Sequence, residues 1–164
     1  MEIVEASKDH IFVIRLLADK IWPLAFQEIL TKEQTAYMME MMYSADSLEN
    51  QMDNGHHYLL AKDGDEYLGY VSYELNYKDT DATKIHKIYV LPSLQGTKGV
   101  GRSFIEAVTE KAKENGNKEL SLNVNRFNKA INFYNRMGFE IARSEDIDIG
   151  NGFLMQDYVM NKKL

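Results

Sequence analysis

A glycine-rich segment from Leu91 to Phe104, LPSLQGTKGVGRSF, has the residue types that hold an anion. It contains three glycines and two cations, Lys98 and Arg102, and lies between the apolar run KIHKIYV and the helix-like run FIEAV. Main-chain N–H groups at the start of a helix point toward an anion, and the helix dipole favours negative charge there. The segment therefore predicts a site for a phosphate group.

Two common nucleotide-binding patterns fit this segment poorly. GTKGVGRS has the spacing of the nucleoside-triphosphate loop, but Arg102 stands where that loop has a lysine, and a planar guanidinium does not replace a compact ammonium. The dinucleotide fingerprint needs a third glycine where this chain has Phe104. From the segment alone, a phosphate loop and an ordinary strand-to-helix turn both remain open.

Length and composition indicate one globular domain over residues 1–164. The chain is 45% hydrophobic and 27% charged, which suits a single core of ordinary size. No apolar run approaches the roughly 20 residues of a membrane span, and the acidic N-terminus is unlike a secretory signal, so we expect a cytoplasmic protein that does not bind membranes. The sequence contains no cysteine, which excludes disulfides and a cysteine-bound acyl intermediate.

The charge of the chain is uneven. The net charge of −6 argues against nucleic acid as a partner, because a protein of this sign repels the phosphate backbone. Residues 82–105 carry +4 and no acid, so the remainder carries −6 − 4 = −10. This division suits an anionic cofactor held at one place and a cationic partner attracted elsewhere, with chance clustering on a solvated face as the alternative. The four cations are Lys84, Lys87, Lys98 and Arg102.

Hydrophobic periodicity predicts a mixed sheet with helices on its faces. A short strand is followed by a helix that Pro23 interrupts, a second helix capped by Thr31 and a third short helix. The central strands then begin, and the crossover through a helix over 101–115 should make the strands on either side of it parallel. The remaining predictions are two strands joined by a turn at Asp63 and Gly64, strands over 84–91 and 118–124, a helix from Asn128 to Met137 ended by Gly138, and two closing strands around 150–152.

Two segments together resemble the acetyl-CoA-binding core of the GCN5-related N-acetyltransferase (GNAT) family. VLPSLQGTKGVG is similar to a strand ending V-x-P and its Q/R-x-x-G-x-G/A loop, and LNVNRFNKAINFYNRMGFE is similar to the next strand and helix, L-x-V-x-x-x-N-x-x-A-x-x-F-Y-x-x-x-G-F. One extra residue between Gln95 and Gly99 leaves Gly96 in the Q/R place, and Asn128 and Ala130 are one residue closer than in the family. The second segment matches at Leu122, Val124, Asn128, Phe133, Tyr134, Gly138 and Phe139.

The resemblance implies an α/β fold and an acetyl-CoA site. The expected sheet is mixed and mostly antiparallel, with about seven strands, a splay between strands 4 and 5, and about four helices on its faces. Main-chain groups of Ile88, Tyr89 and Val90 would hold the pantetheine arm, and Asn128 and Tyr134 would also contact the cofactor. The pyrophosphate would lie on the loop formed by Gln95, Gly96, Thr97, Lys98, Gly99, Val100, Gly101 and Arg102.

Acetyl transfer to an amine requires a neutral nitrogen and a donor that eases departure of the thiolate. By resemblance, Tyr134 donates a hydrogen bond to the sulfur while the amine attacks directly, through a tetrahedral intermediate. An amine with a pKa of about 10 must first lose a proton, and His86 is the candidate base, since it titrates in a useful range. We expect no metal site, because His56 and His57 would face opposite sides of a strand.

The acceptor is expected to be a primary amine of a small molecule, with a polyamine such as spermidine as the best guess. Parts of the N-terminal helices and the last hairpin are similar to bacterial polyamine acetyltransferases, and acidic residues there would attract a polycation. A protein or peptide N-acetyltransferase and a catalytically silent acyl-CoA sensor are the alternatives, and a homodimer is possible by analogy. The acidic residues are Glu28, Glu33, Glu40, Asp46, Asp146 and Asp148.

Overall fold

The computed structural model describes residues 1–164. Seven strands and five helices make up the chain, and none of the helices has the length and apolar character needed to span a membrane. The strands are β1 Glu2–Glu5, β2 His57–Asp63, β3 Glu66–Glu74, β4 Ala82–Val90, β5 Glu119–Asn125, β6 Glu140–Gly150 and β7 Phe153–Lys163. The helices are α1 Ile11–Ala25, α2 Lys32–Tyr43, α3 Ala45–Asp53, α4 Val100–Glu114 and α5 Ala130–Arg136.

The strands form one mixed sheet in the order β1-β2-β3-β4-β5-β7-β6. The β4–β5 pair is parallel, as the crossover through α4 predicted. Its ladder has four residue pairs and stops at Ile85 and Leu122, although β4 continues to Val90 and β5 to Asn125. The early end of this ladder agrees with the splay expected between strands 4 and 5, and the predicted fold class is confirmed.

The chain divides into two compact units, each with a core of its own. The first unit comprises Met1–Glu74 and Lys87–Val108, and its core includes the buried side of α1. The second comprises Leu75–His86 and Thr109–Leu164, so β4 contributes residues to both. The description of residues 1–164 as a single domain stays a prediction. Buried core residues are Ile14, Leu17, Ile21, Leu60 and Leu68 in the first unit, and Leu120, Leu122, Val159 and Met160 in the second.

Local signals placed most helix ends correctly. Thr31 Oγ1 accepts a hydrogen bond from the amide of Gln34 at 3.1 Å and begins α2, as expected of a capping residue. Gly138 has φ 95° just beyond α5, a conformation that glycine adopts at low cost. The expected interruption at Pro23 is wrong, because α1 continues to Ala25. Pro23 removes only the hydrogen bond to the carbonyl four residues before it, and the amide of Phe26 still donates to the Trp22 carbonyl at 3.1 Å, which completes the last turn.

Candidate active site

The glycine segment forms a turn that opens a helix. A short 3-10 turn at Pro92–Leu94 follows β4, and Gly96, Lys98 and Gly99 have φ angles of 75°, 56° and 63°. The amide of Ser103 donates to the carbonyl of Gly99 at 2.9 Å. The amides of residues 99–102 precede this bond and have no acceptor within the helix, so they can point together at an anion.

The side chains in this turn are partly engaged by the protein. Lys98 Nζ lies 3.0 Å from Asp63 Oδ2, and this hydrogen bond lowers the pKa of the Asp63 carboxyl. Thr97 Oγ1 donates to the Leu94 carbonyl at 2.9 Å, and the Gln95 amide nitrogen lies 3.4 Å from the Val90 carbonyl. Lys98 therefore brings less free positive charge to the turn than its sequence position implied.

The end of β4 approaches β3 very closely. A Cβ atom on Gly69 would lie 2.4 Å from the Tyr89 carbonyl oxygen and 3.1 Å from the Val90 Cα, so only glycine fits there. The ring of Tyr89 packs 5.7 Å from that of Tyr70 and 5.5 Å from that of Trp22, centroid to centroid. Packing thus fixes the backbone of Ile88, Tyr89 and Val90, which belong to the first unit together with the glycine segment.

Tyr134 lies in α5, in the second unit, and is 7% exposed. Its ring packs against Phe133 and Phe139, with centroid distances of 5.4 and 5.9 Å. Burial raises the pKa of its phenol, so the hydroxyl keeps its proton at neutral pH. A protonated phenol can donate a hydrogen bond to a developing thiolate.

Asn128 has a local structural contact. Its side-chain oxygen accepts a hydrogen bond from the main-chain amide of Ala130 at 2.9 Å. The main-chain N–H of Asn128 donates to the Asn125 carbonyl at 3.0 Å. The side chain therefore contacts the first residue of α5, but Lys129 occupies the capping position of that helix, so the predicted cap at Asn128 lies one residue too early. A contact between Asn128 and a cofactor stays a prediction.

Each of the three histidines of interest has an aromatic or carboxylate neighbour. His86 lies in the second unit, where its ring meets that of Tyr77 edge to face at 5.6 Å. In the first unit, His56 Nε2 lies 3.4 Å from Glu74 Oε1, and the His57 ring stacks on Tyr73 at 5.1 Å. The role of His86 as a base stays a prediction.

Two buried lysines on β4 were not predicted as site residues. Lys87 in the first unit is 7% exposed, and Lys84 in the second is 8% exposed. Burial lowers the pKa of Lys87 to about 7 and that of Lys84 to about 8. The signal was present in KIHKIYV, where two lysines interrupt an otherwise apolar central strand.

Comparison with known proteins supports the resemblance to the GNAT family. A search of curated proteins found no match. Among solved structures, the PaiA N-acetyltransferase from Thermoplasma acidophilum in complex with coenzyme A superposes with a TM-score of 0.82 at 22% identity, covering 99% of this chain and 98% of that one. A ribosomal-protein-alanine N-acetyltransferase from Brucella melitensis gives 0.68 at 20% identity and covers 100% of both chains. An aminoglycoside 6'-acetyltransferase type Ii superposes with a TM-score of 0.68 at 20% identity, covering 99% of this chain and 97% of that one.

These similarities establish the fold, and a family model extends them to the sequence. The model of the acetyltransferase (GNAT) family matches residues 22–139, which is well over half of the chain and includes the glycine turn and Tyr134. The chain belongs to the GNAT acetyltransferase family.

Proposed function

We propose that the protein transfers the acetyl group of acetyl-CoA to a primary amine of a small molecule, with a polyamine such as spermidine as the first candidate. Family membership supports acetyl transfer, and one solved relative is a complex with coenzyme A. The observation that carries the cofactor site is the turn at residues 95–102, whose last four amides precede the first hydrogen bond of α4. Such a turn can hold a diphosphate through its main-chain amides and the helix dipole.

The proposed cofactor site has two parts. The turn from Gln95 to Arg102, including Gly96, Thr97, Lys98, Gly99, Val100 and Gly101, would hold the pyrophosphate through main-chain amides. The main chain of Ile88, Tyr89 and Val90 would hold the pantetheine arm where the β4–β5 ladder has ended. Gly69 supports this site because it allows β3 to approach the Tyr89 carbonyl.

Tyr134 is proposed to donate a hydrogen bond to the departing sulfur. A free thiol has a pKa near 8.5 and tyrosine near 10, so full proton transfer to the thiolate would already be uphill by about 2 kcal/mol. Burial raises the pKa of Tyr134 further, which makes complete transfer still less favourable. The hydroxyl therefore stabilises the thiolate by a hydrogen bond that strengthens as the carbon–sulfur bond breaks.

A small cationic acceptor agrees with the acidic remainder of the chain, although not every acid is available. Asp146 is hydrogen-bonded to Arg126, and Asp148 accepts from the Gly150 amide at 2.8 Å. The acids left to attract a polyamine are those of the N-terminal helical region, such as Glu33 and Asp46 in the first turns of α2 and α3. Acetylation of a protein N-terminus is the second candidate, favoured by the similarity to the ribosomal-protein-alanine enzyme. A cytoplasmic location and a homodimer stay predictions.

Release of free thiol from acetyl-CoA, measured across a panel of amines, tests the proposal. The panel contains spermidine, spermine, aminoglycosides, amino acids and peptides with free N-termini, and product mass identifies the acetylated nitrogen. Turnover that is fastest with a polyamine supports the first candidate, whereas turnover confined to peptides supports the second. Tight binding of acetyl-CoA with no turnover on any amine would replace both with a non-catalytic sensor.

A further inference from the structure

One face of the central strand β5 is polar and partly open. Leu120, Leu122 and Val124 are buried, whereas the alternating residues Ser121, Asn123 and Asn125 are half-buried. A central strand usually hides both faces, so a polar row on one side indicates a surface that meets water or a ligand.

The strand registers place further polar residues on this face. Lys84 of β4 is the partner of Ser121, and Ser121 is also the partner of Asn161 on β7. Asp157 of β7 is the partner of Asn125. We refer to Lys84, Ser121, Asn123, Asn125, Asp157 and Asn161 as the polar face; all six residues belong to the second unit.

Lys84 is joined to the only buried carboxylate of this face through an amide. Its Nζ donates to Asn123 Oδ1, and Asn123 Nδ2 donates to Asp157 Oδ2 at 3.2 Å. Asp157 is 3% exposed, and burial raises the pKa of its carboxyl. Lys84 itself forms no ion pair, and its Nζ lies 5.5 Å from the centre of the Tyr77 ring.

The amide between the two ionisable groups has a chemical consequence. A carboxylate in direct contact with Lys84 would stabilise the ammonium and hold its proton. Asn123 supplies only a neutral oxygen, and its orientation is fixed because its other end is bound to Asp157. A neutral Lys84 amine can donate one N–H to Asn123 and still have a free lone pair.

Charged groups of three neighbouring elements act on Lys84. Glu145 of β6 and Asp157 of β7 favour its charged form, whereas Arg143 of β6 and Lys78 of the β3–β4 loop oppose it. Burial outweighs all of them and lowers the pKa of Lys84 to about 8. His86, two residues along β4, shares the Tyr77 ring as a neighbour.

We propose that Lys84 is the proton acceptor for the amine that becomes acetylated. The inference rests on the proposed function. As the nitrogen bonds to the carbonyl carbon, the carbon–sulfur bond breaks with its electron pair on sulfur, and the proton of the nitrogen passes to the Lys84 lone pair. Lys84 then returns this proton to water or to the thiolate, which completes the cycle.

The pH dependence of turnover tests this assignment with acetyl-CoA and the best amine both saturating. The wild-type rate is expected to rise with pH to an inflection near 8. Lys84→Met should lower turnover by about 100-fold, within the range for a lost general base, and remove the inflection. Lys84→Arg keeps the charge but cannot give up its proton at these pH values, so it should behave like the methionine variant. A merely electrostatic role would be rescued by arginine and would refute the proposal.

Asn123→Asp is the sharpest variant, because it places a carboxylate beside Lys84. It should move the inflection to higher pH by about one unit, a change that a purely structural role would not produce. Lys87→Met is the matched control, since it removes the other buried lysine of β4 and should retain the inflection near 8. An inflection that disappears in His86→Asn and persists in Lys84→Met would assign the base to His86.

A titration of Lys84 itself keeps the inference separate from the proposed function. Lysine carrying 13C at the side-chain methylene next to nitrogen gives a resonance that Lys84→Met assigns by its disappearance. Titration near pH 8 is expected in the wild-type protein, and titration near 10 would overturn the inference whether or not any amine is acetylated. Absence of turnover with every amine, by contrast, would overturn the proposed function and with it the role of Lys84.

Discussion

Lys87 is expected to make the stability of the protein depend on pH in a way that Lys87→Met removes. Its Nζ donates to Gln51 Oε1 and to the Tyr58 hydroxyl, each at 2.6 Å, and lies 4.8 Å from the centre of the Tyr43 ring. No carboxylate is among these partners. Burial outweighs their attraction for the ammonium and lowers the pKa of Lys87 from 10.5 to about 7.

The sign and size of the effect follow from this difference. Between pH 7 and pH 10.5 the unfolded chain holds the Lys87 proton while the folded protein has released it. Raising the pH in this window therefore stabilises the folded state, by about 1.4 kcal/mol for each pH unit. Below pH 7 both states carry the proton, and the contribution is constant. From pH 7 to pH 9 the wild-type protein should gain about 2 to 3 kcal/mol relative to Lys87→Met.

Urea denaturation of both proteins at pH 6, 7, 8 and 9 measures this gain. Lys84 is present in both proteins, so its pH-dependent contribution to stability cancels when the free energy of unfolding of Lys87→Met is subtracted from that of the wild type. Lys113→Met removes an exposed lysine from the last turn of α4 and provides the baseline. A difference between wild type and Lys87→Met that stays flat from pH 6 to pH 9 would show that the folded protein keeps this proton, and the argument from burial would be wrong.

Three further substitutions test the site and the core. Tyr134→Phe should lower turnover about 10-fold to 100-fold with little change in acetyl-CoA affinity measured by calorimetry, because it removes only a hydrogen bond to the leaving group. Gly69→Ala should weaken acetyl-CoA binding by at least 10-fold. The new Cβ would lie 2.4 Å from the Tyr89 carbonyl oxygen, so the β4 main chain of the proposed pantetheine site would have to move. Tyr43→Phe should destabilise the fold by about 2 kcal/mol in urea, because the buried Trp22 N–H loses its acceptor at 2.9 Å.

Each of these outcomes has a matched comparison. Gly64→Ala introduces the same methyl group where no atom lies within 4 Å, so it should leave cofactor affinity unchanged despite a small loss of stability at φ 60°. Unchanged turnover in Tyr134→Phe would remove the proposed role of its hydroxyl. Wild-type stability in Tyr43→Phe would indicate that water replaces the lost hydroxyl beside Trp22.

The fold was predictable because its main signals are local. A strand, a helix and a second strand follow one another around the glycine segment, and such a crossover predicts that the two strands are parallel. The structure contains this parallel pair as β4 and β5. Thr31 and Gly138 act through neighbours three or four residues away, so their roles could be inferred from the sequence. Pro23 was misjudged because the loss of one helical hydrogen bond near the end of a 15-residue helix is too small to stop that helix.

The environment of the two β4 lysines could not be predicted, because their partners are distant in the sequence. Lys84 contacts Asn123, 39 residues away, and Lys87 contacts Gln51, 36 residues away. Composition shows four cations between residues 82 and 105 but not whether they face water. Burial decides that question, and burial depends on strand register and on which helices cover the sheet.

The positive charge of residues 82–105 therefore has a different meaning from the one that the sequence suggested. Of the four cations, Lys84 and Lys87 are buried with lowered pKa values, and Lys98 is paired with Asp63. Arg102, in the first turn of α4, is the one that is both exposed and without an ion pair within the protein. In the proposed cofactor site, a diphosphate would therefore be held by main-chain amides and Arg102, none of which changes charge near neutral pH. Under this proposal, the ionisable groups of β4 can change protonation during the reaction without changing the charge of the residues that bind the cofactor.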